Sequence, residues 1–212
     1  MAEIFREIDE ELQQERAAKL WQRYGGWLIA AAVGVVLAVS GNVFWTRYSA
    51  QLKAEMGDRY EAASELVVSG NPKDGAQAFA ALADDAGAGY ATLARLREAA
   101  ALATAGDTEA AIIVFRKVAA DAKPPYADLA RLRAVRLGID TGDTAGLLRE
   151  LAPVLASGNP WRPLAMETEA AIHLQAGDTS KALAIYKSLA DDASTPSQLR
   201  ARATEMVRAL GD

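Results

Sequence analysis

The chain of 212 residues contains no cysteine. Disulfides and thiolate metal sites are thereby excluded, and the fold is indifferent to the redox state around it. Histidine is almost absent as well: the single one, His173, has no carboxylate pair beside it, so acid/base and metal chemistry have nothing to build on. No stretch alternates as a strand, so no Gly-rich phosphate loop follows one, and no Gly-x-Ser-x-Gly occurs. Basic residues are outnumbered, with a net charge of −5. Phosphate binding needs a basic footprint, so nucleic acid is not an expected ligand. The sequence predicts no catalytic, cofactor-binding or metal-binding residues and no enzyme activity.

What the chain does have is alanine, helix periodicity and one long uncharged run. Tyr24 to Thr46 carries no charged residue and is bounded by Arg23 and Arg47. As a helix this run is about 35 Å long, enough to cross a hydrocarbon core of roughly 30 Å. Ala38-Val39-Ser40 has the small-residue form of a signal cleavage site. The long acidic lead before the run and the apolar Val43, Phe44 and Trp45 beyond it favour an uncleaved anchor. Gly26, Ala30, Gly34 and Ala38 recur every fourth residue and end at Asn42, a small-residue stripe against which a partner helix or a second copy of the chain would pack. Glycine and alanine are also simply common in membrane helices. Ahead of the run, Ile4, Phe5, Ile8 and Leu12 mark an amphipathic helix whose other side is acidic. That lead reads either as a solvated juxtamembrane helix or as a docking helix for a cytoplasmic protein. Flanking charge favours an inside N-terminus only slightly.

Beyond Arg47 the chain becomes a repeat. Leu52, Met56, Tyr60, Ala63 and Val67 form one apolar stripe, on a helix that can continue out of the apolar run. Glycines then stand at 70, 106, 142 and 177, and three of them open Gly-Asp-Thr. Nine residues past each glycine is Phe79, Phe115, Leu151 or Tyr186, and three further is Leu82, Val118, Val154 or Leu189. A period near 35 residues denotes stacked supersecondary units. Each glycine ends a helix in the left-handed conformation, and the Asp, Thr or Asn after it caps the next through its side-chain oxygen. Asn159-Pro160 and Thr195-Pro196 read as an N-cap followed by proline. Helices are expected near 72–84, 90–104, 108–121, 126–139, 144–156, 161–175, 178–191 and 196–210. The expected divisions are a lead 1–23, a membrane helix 24–46, a connecting helix 47–69 and a repeat domain 70–212.

Two stretches stand out as binding features. Leu-Ala-Arg-Leu-Arg occurs at 93–97 and again at 129–133, with Arg136 one turn on. Arg95, Arg97, Arg131, Arg133 and Arg136 are candidate contacts for carboxylates of a ligand. The plainer reading is solvent exposure with local ion pairs. Asp84-Asp85 and Asp191-Asp192 read as solvated helix ends.

Ala99, Gly106, Ala111, Phe115 and Pro124 in one unit, and Ala170, Gly177, Ala182, Tyr186 and Leu189 in another, resemble the framework of tetratricopeptide repeats. Arg95 and Arg131 depart from it, standing where that pattern has a large residue. The resemblance implies an all-α solenoid of helical hairpins, with the arginine-bearing helices on its concave face. The acidic lead, the Tyr24-Gly25-Gly26-Trp27 start of the apolar run and the short array together resemble the bacterial YfgM-like family of ancillary SecYEG translocon subunits. That likeness implies an inner-membrane, single-pass protein with a cytoplasmic N-terminus and a periplasmic array. It further implies partners of two kinds, a SecYEG-type translocon and a PpiD-type periplasmic chaperone, and a role in the biogenesis of secreted proteins. The rival expectation is a structural subunit bracing another inner-membrane complex, respiratory, secretory or of the envelope.

Overall fold

The structure is a computed structural model that describes residues 2–141 and 143–211, with the side chains of residues 2–20, 25, 28, 31, 32 and 88 outside that description. Gly142, one of the four punctuating glycines, therefore lies outside the described residues, as do the side chains of Ile4, Phe5, Ile8 and Leu12. In order, the elements are α1 (Ala2–Val68), α2 (Pro72–Asp85), α3 (Ala88–Thr104), α4 (Thr108–Asp121) and α5 (Tyr126–Leu137). A 3-10 turn (Ile139–Thr141) then leads to α6 (Thr144–Leu151), α7 (Arg162–Gln175), α8 (Thr179–Asp191) and α9 (Ser197–Gly211). The described residues are all-α, and they divide into two units, Met1–Glu55 and Met56–Asp212.

The first unit is a single helical stretch whose described side chains stand in the open. Trp27, Val35, Leu37, Phe44 and Trp45 are all more than 60% exposed. Among the described residues no helix is long and apolar enough to cross a membrane. Gly25, Leu28, Ala31 and Ala32, which belong to the apolar run, are outside the described side chains.

The second unit is the repeat array, and its register follows the glycines. Gly70, Gly106 and Gly177 have φ of 89°, 83° and 79°, the left-handed region where a residue without Cβ carries no steric penalty. Counting nine residues on gives Phe79, Phe115, Leu151 and Tyr186, all buried, and three more gives Leu82, Val118, Val154 and Leu189, also buried. Seven residues before each glycine position stand Ala63, Ala99, Val135 and Ala170, every one 0% exposed. Small residues at that place let one helix sit closely on the next, and neighbouring hairpins bury what neither could bury alone. Four apolar clusters result, centred on Phe79, Phe115, Leu151 and Tyr186.

The first of these clusters includes Met56, Tyr60, Ala63 and Val67 of α1. The end of α1 thus belongs to the second unit, which starts at Met56. Gly75 of α2 makes the approach possible: a Cβ there would come within 2.5 Å of Val67 Cγ2.

Capping followed the expected chemistry at the Gly-Asp-Thr turns. Asp107, Asp143 and Asp178 accept from the backbone N–H of Ala110, Gly146 and Lys181 at 3.3, 2.9 and 3.2 Å. The proline turns differ from expectation. Asn159 does not cap α7; its Oδ1 accepts from Trp161 N–H at 2.9 Å and its Nδ2 donates to Asp128 at 3.0 Å. Thr195 does not cap α9 either, since its buried hydroxyl has no partner among the described residues. Helix α6 stops at Leu151, five residues short of the expected end, because Pro153 lacks the N–H that would continue the ladder and the chain goes over into turns.

Candidate functional site

The repeated Leu-Ala-Arg-Leu-Arg places two arginines on different sides of each helix, because residues two apart on a helix do not share a face. Arg95 is held within the framework: it pairs with Glu98 at 2.8 Å and with Asp84 at the end of α2. The Glu98 carboxylate, and Asp84 beside it, push the Arg95 guanidinium above its ordinary value against the opposing effect of burial. Arg131 pairs with Asp128 at 3.6 Å. Both are three-quarters covered, and their charges are answered locally.

Arg97 and Arg133 instead line one groove of about 630 Å³. Its floor is apolar, built from Leu96, Ala100, Ala103, Phe115 and Leu137. Tyr60 of α1, Arg97 of α3, and Tyr126 and Arg133 of α5 also line it. The Arg97 Nε–H donates to the Tyr60 hydroxyl at 2.6 Å, and its guanidinium carbon lies 5.8 Å from that ring's centroid. Arg133 is exposed and has no hydrogen-bond or ion-pair partner among the described residues. Leu93 and Tyr126, at the rim, are 39% and 43% exposed. Arg136 is exposed too but does not line the groove. The five candidate arginines are therefore not one cluster: two are framework, two face the groove, and one lies apart.

Tyr60 and Tyr126 are groove residues that sequence reasoning missed. Tyr60 could have been found by counting back from Gly70, since it stands three residues before Ala63 in the stripe of the first unit. Tyr126 follows the Pro124-Pro125 turn and opens α5, and no periodic signal marks it.

The remaining sequence features fall elsewhere. Gly26, Ala30, Gly34, Ala38 and Asn42 are all exposed along α1. His173 is half-buried on α7, and among the described residues no group of three His, Cys, Asp or Glu is placed to hold a metal. Asp85 pairs with Arg59 at 2.9 Å, so it and Asp84 serve as acceptors between helices. The Asp192 carboxyl is held below its ordinary value by the Ser194 hydroxyl and backbone N–H. Arg116 and Arg202 join units through forked bonds to Glu150 and Glu167, and each carboxylate raises its guanidinium.

A buried small residue, a left-handed glycine and a buried ring or leucine recur at constant offsets. A family model described as a tetratricopeptide repeat-like domain matches this pattern over residues 18–208. The chain belongs to the tetratricopeptide repeat-like domain family. Among solved structures, this tetratricopeptide-like chain is similar to a crystal structure of nearly identical TPR-like repeats assigned to a kinesin light chain of Podosopora anserina. The two superpose with a TM-score of 0.56 at 14% identity, over 74% of this chain and 85% of the other. That likeness is one of fold. No curated protein matches the chain. Tetratricopeptide-like repeats point to protein–protein interaction in general.

Proposed function

We propose that the chain is a membrane-anchored, non-catalytic protein-interaction scaffold. The observation that carries the anchoring is the exposure of apolar side chains around the whole circumference of the helix. Val35, Val36 and Leu37 are 63%, 62% and 68% exposed, and they point in directions about 100° apart. A helix that is apolar all round needs an apolar solvent. Trp21, Tyr24 and Trp27 stand at one end of the uncharged run and Phe44, Trp45 and Tyr48 at the other, all exposed. Trp27 and Phe44 are separated by roughly 25 Å of helix, the spacing of two interfacial aromatic belts.

The partner we propose is the Sec translocon together with periplasmic chaperones, in a bacterial inner membrane with the array in the periplasm. The support is the Tyr24-Gly25-Gly26-Trp27 start of the run and the order of lead, anchor and array, which resemble the YfgM-like ancillary subunits. A second reading, a subunit bracing one fixed membrane complex, draws on the exposed stripe from Gly26 to Ala38.

Carbonate extraction and vesicle flotation test the anchor, and a chain recovered in the soluble fraction would refute it. Reporter fusions after Gly211 test orientation: activity confined to the periplasm is expected, and cytoplasmic activity overturns the translocon reading. Cross-linking from the array then separates the two partners, because a translocon accessory meets many secretory chains and a brace meets one constant neighbour.

A further inference from the structure

We infer that the groove lined by Arg97 and Arg133 takes an apolar protein segment bearing carboxylates, which pair with those two arginines. The inference rests on the scaffold reading, though not on the membrane placement.

Charge complementarity singles out this surface. The protein is acidic overall, and it answers five array arginines with carboxylates of its own: Arg59 with Asp85, Arg95 with Glu98, Arg116 with Glu150, Arg131 with Asp128 and Arg202 with Glu167. Arg149, Arg162 and Arg200 donate instead to the backbone carbonyls of Ala145, Leu155 and Ala193. At the groove neither a carboxylate nor a backbone carbonyl answers the arginines among the described residues. Arg97 meets a neutral phenol, Arg133 meets nothing among the described residues, and no carboxylate is among the groove's described lining residues. Arg136 and Arg208 likewise have no hydrogen-bond acceptor among the described residues, but neither lines this groove.

The pairing of charge with apolar surface decides the class of ligand. Small anions would use the guanidinium groups alone and leave Leu93, Leu96 and Phe115 idle. A segment with large apolar side chains covers that floor, while its carboxylates exchange solvent for forked hydrogen bonds. Tyr60 fixes the Arg97 guanidinium before any ligand arrives, so its rotamer freedom is already spent. Arg133 comes from the equivalent stretch of the next unit, so an elongated ligand lying along the array reaches both.

The test uses the full chain in detergent micelles and three fluorescein-labelled peptides of one sequence. Each has the same Leu and Phe residues, with four acidic positions written as Glu, Gln or Lys. In anisotropy titrations the Glu peptide is expected to bind at least ~10-fold more tightly than the Gln peptide. Arg133→Glu, at an exposed site, is expected to abolish that preference. Arg97→Gln with Arg133→Gln should bring the Glu peptide to the level of the Gln peptide. Arg208→Glu makes the same charge change outside the groove and should leave the preference intact. Equal binding of all three peptides, or a Glu preference that survives the double variant, overturns the proposal. If no peptide binds while partners still cross-link to the array in membranes, the groove is overturned and the scaffold stands. Loss of all cross-links overturns the scaffold itself.

Discussion

The ring of Tyr60 meets the ring of Phe79 edge-on, with centroids 5.2 Å apart, while its hydroxyl accepts from Arg97. One side chain of α1 thereby bears on both α2 and α3. Tyr60→Phe keeps the ring contact and frees Arg97, so it should cost about 1 kcal/mol. Tyr60→Ala removes the ring and should cost about 3–5 kcal/mol. Urea unfolding of the two variants checks this, and equal costs would show that the ring does not pack as described.

Ala99 and Ala100 are adjacent, yet one is sealed between helices and the other is exposed on the groove floor. Ala99→Leu should destabilise by about 1–3 kcal/mol through overpacking. Ala100→Leu should leave stability within about 0.5 kcal/mol and occupy the groove instead. Thermal melts separate them; similar losses of Tm would contradict the burial pattern.

Tyr186 and Asp178 shift in ways that fix the direction of two pH dependences. Burial, with the Glu167 charge adding to it, pushes the Tyr186 phenol above its ordinary value of 10.0. Its stabilising contribution is complete below that pH and falls as pH rises from 10 toward the folded value. Tyr186→Phe should flatten this alkaline loss. The Lys181 ammonium, then its backbone N–H, hold the Asp178 carboxyl below its ordinary 3.8. That contribution is present above 3.8 and is lost as pH falls toward the folded value, so Asp178→Asn should blunt the acid limb. Denaturation midpoints measured from pH 2.5 to 11 test both signs.

Val35→Lys with Val36→Lys puts two charges into the middle of the apolar run. Each costs about 2.5–3.5 kcal/mol at the centre of a membrane helix. The double variant should leave the membrane fraction in flotation, with the array still folded by circular dichroism. Unchanged flotation would mean that another part of the chain holds it to lipid.

The buried offsets were readable in advance because a left-handed glycine fixes the register of everything after it. Phe79 and Leu82 follow from Gly70 as surely as Tyr186 and Leu189 follow from Gly177. The sorting of the arginines was not readable. Arg95 is neutralised by Glu98 three residues on and by Asp84 eleven residues back, and periodicity does not say which of two neighbouring arginines will find such acceptors. Asn159 departs from the N-cap expectation because its side chain serves a turn and a distant carboxylate together, and tertiary contact with Asp128 decides that choice.

In the array, each of α2 to α9 packs on elements close to it in sequence: α2 with α3, α3 with α4, α4 with α5, α7 with α8, α8 with α9. Such local wiring closes only short loops during folding. A chain emerging N-terminus first could consolidate each hairpin before the next has been delivered. The protein would then be assembled in the order in which it is made, without waiting for its last residues.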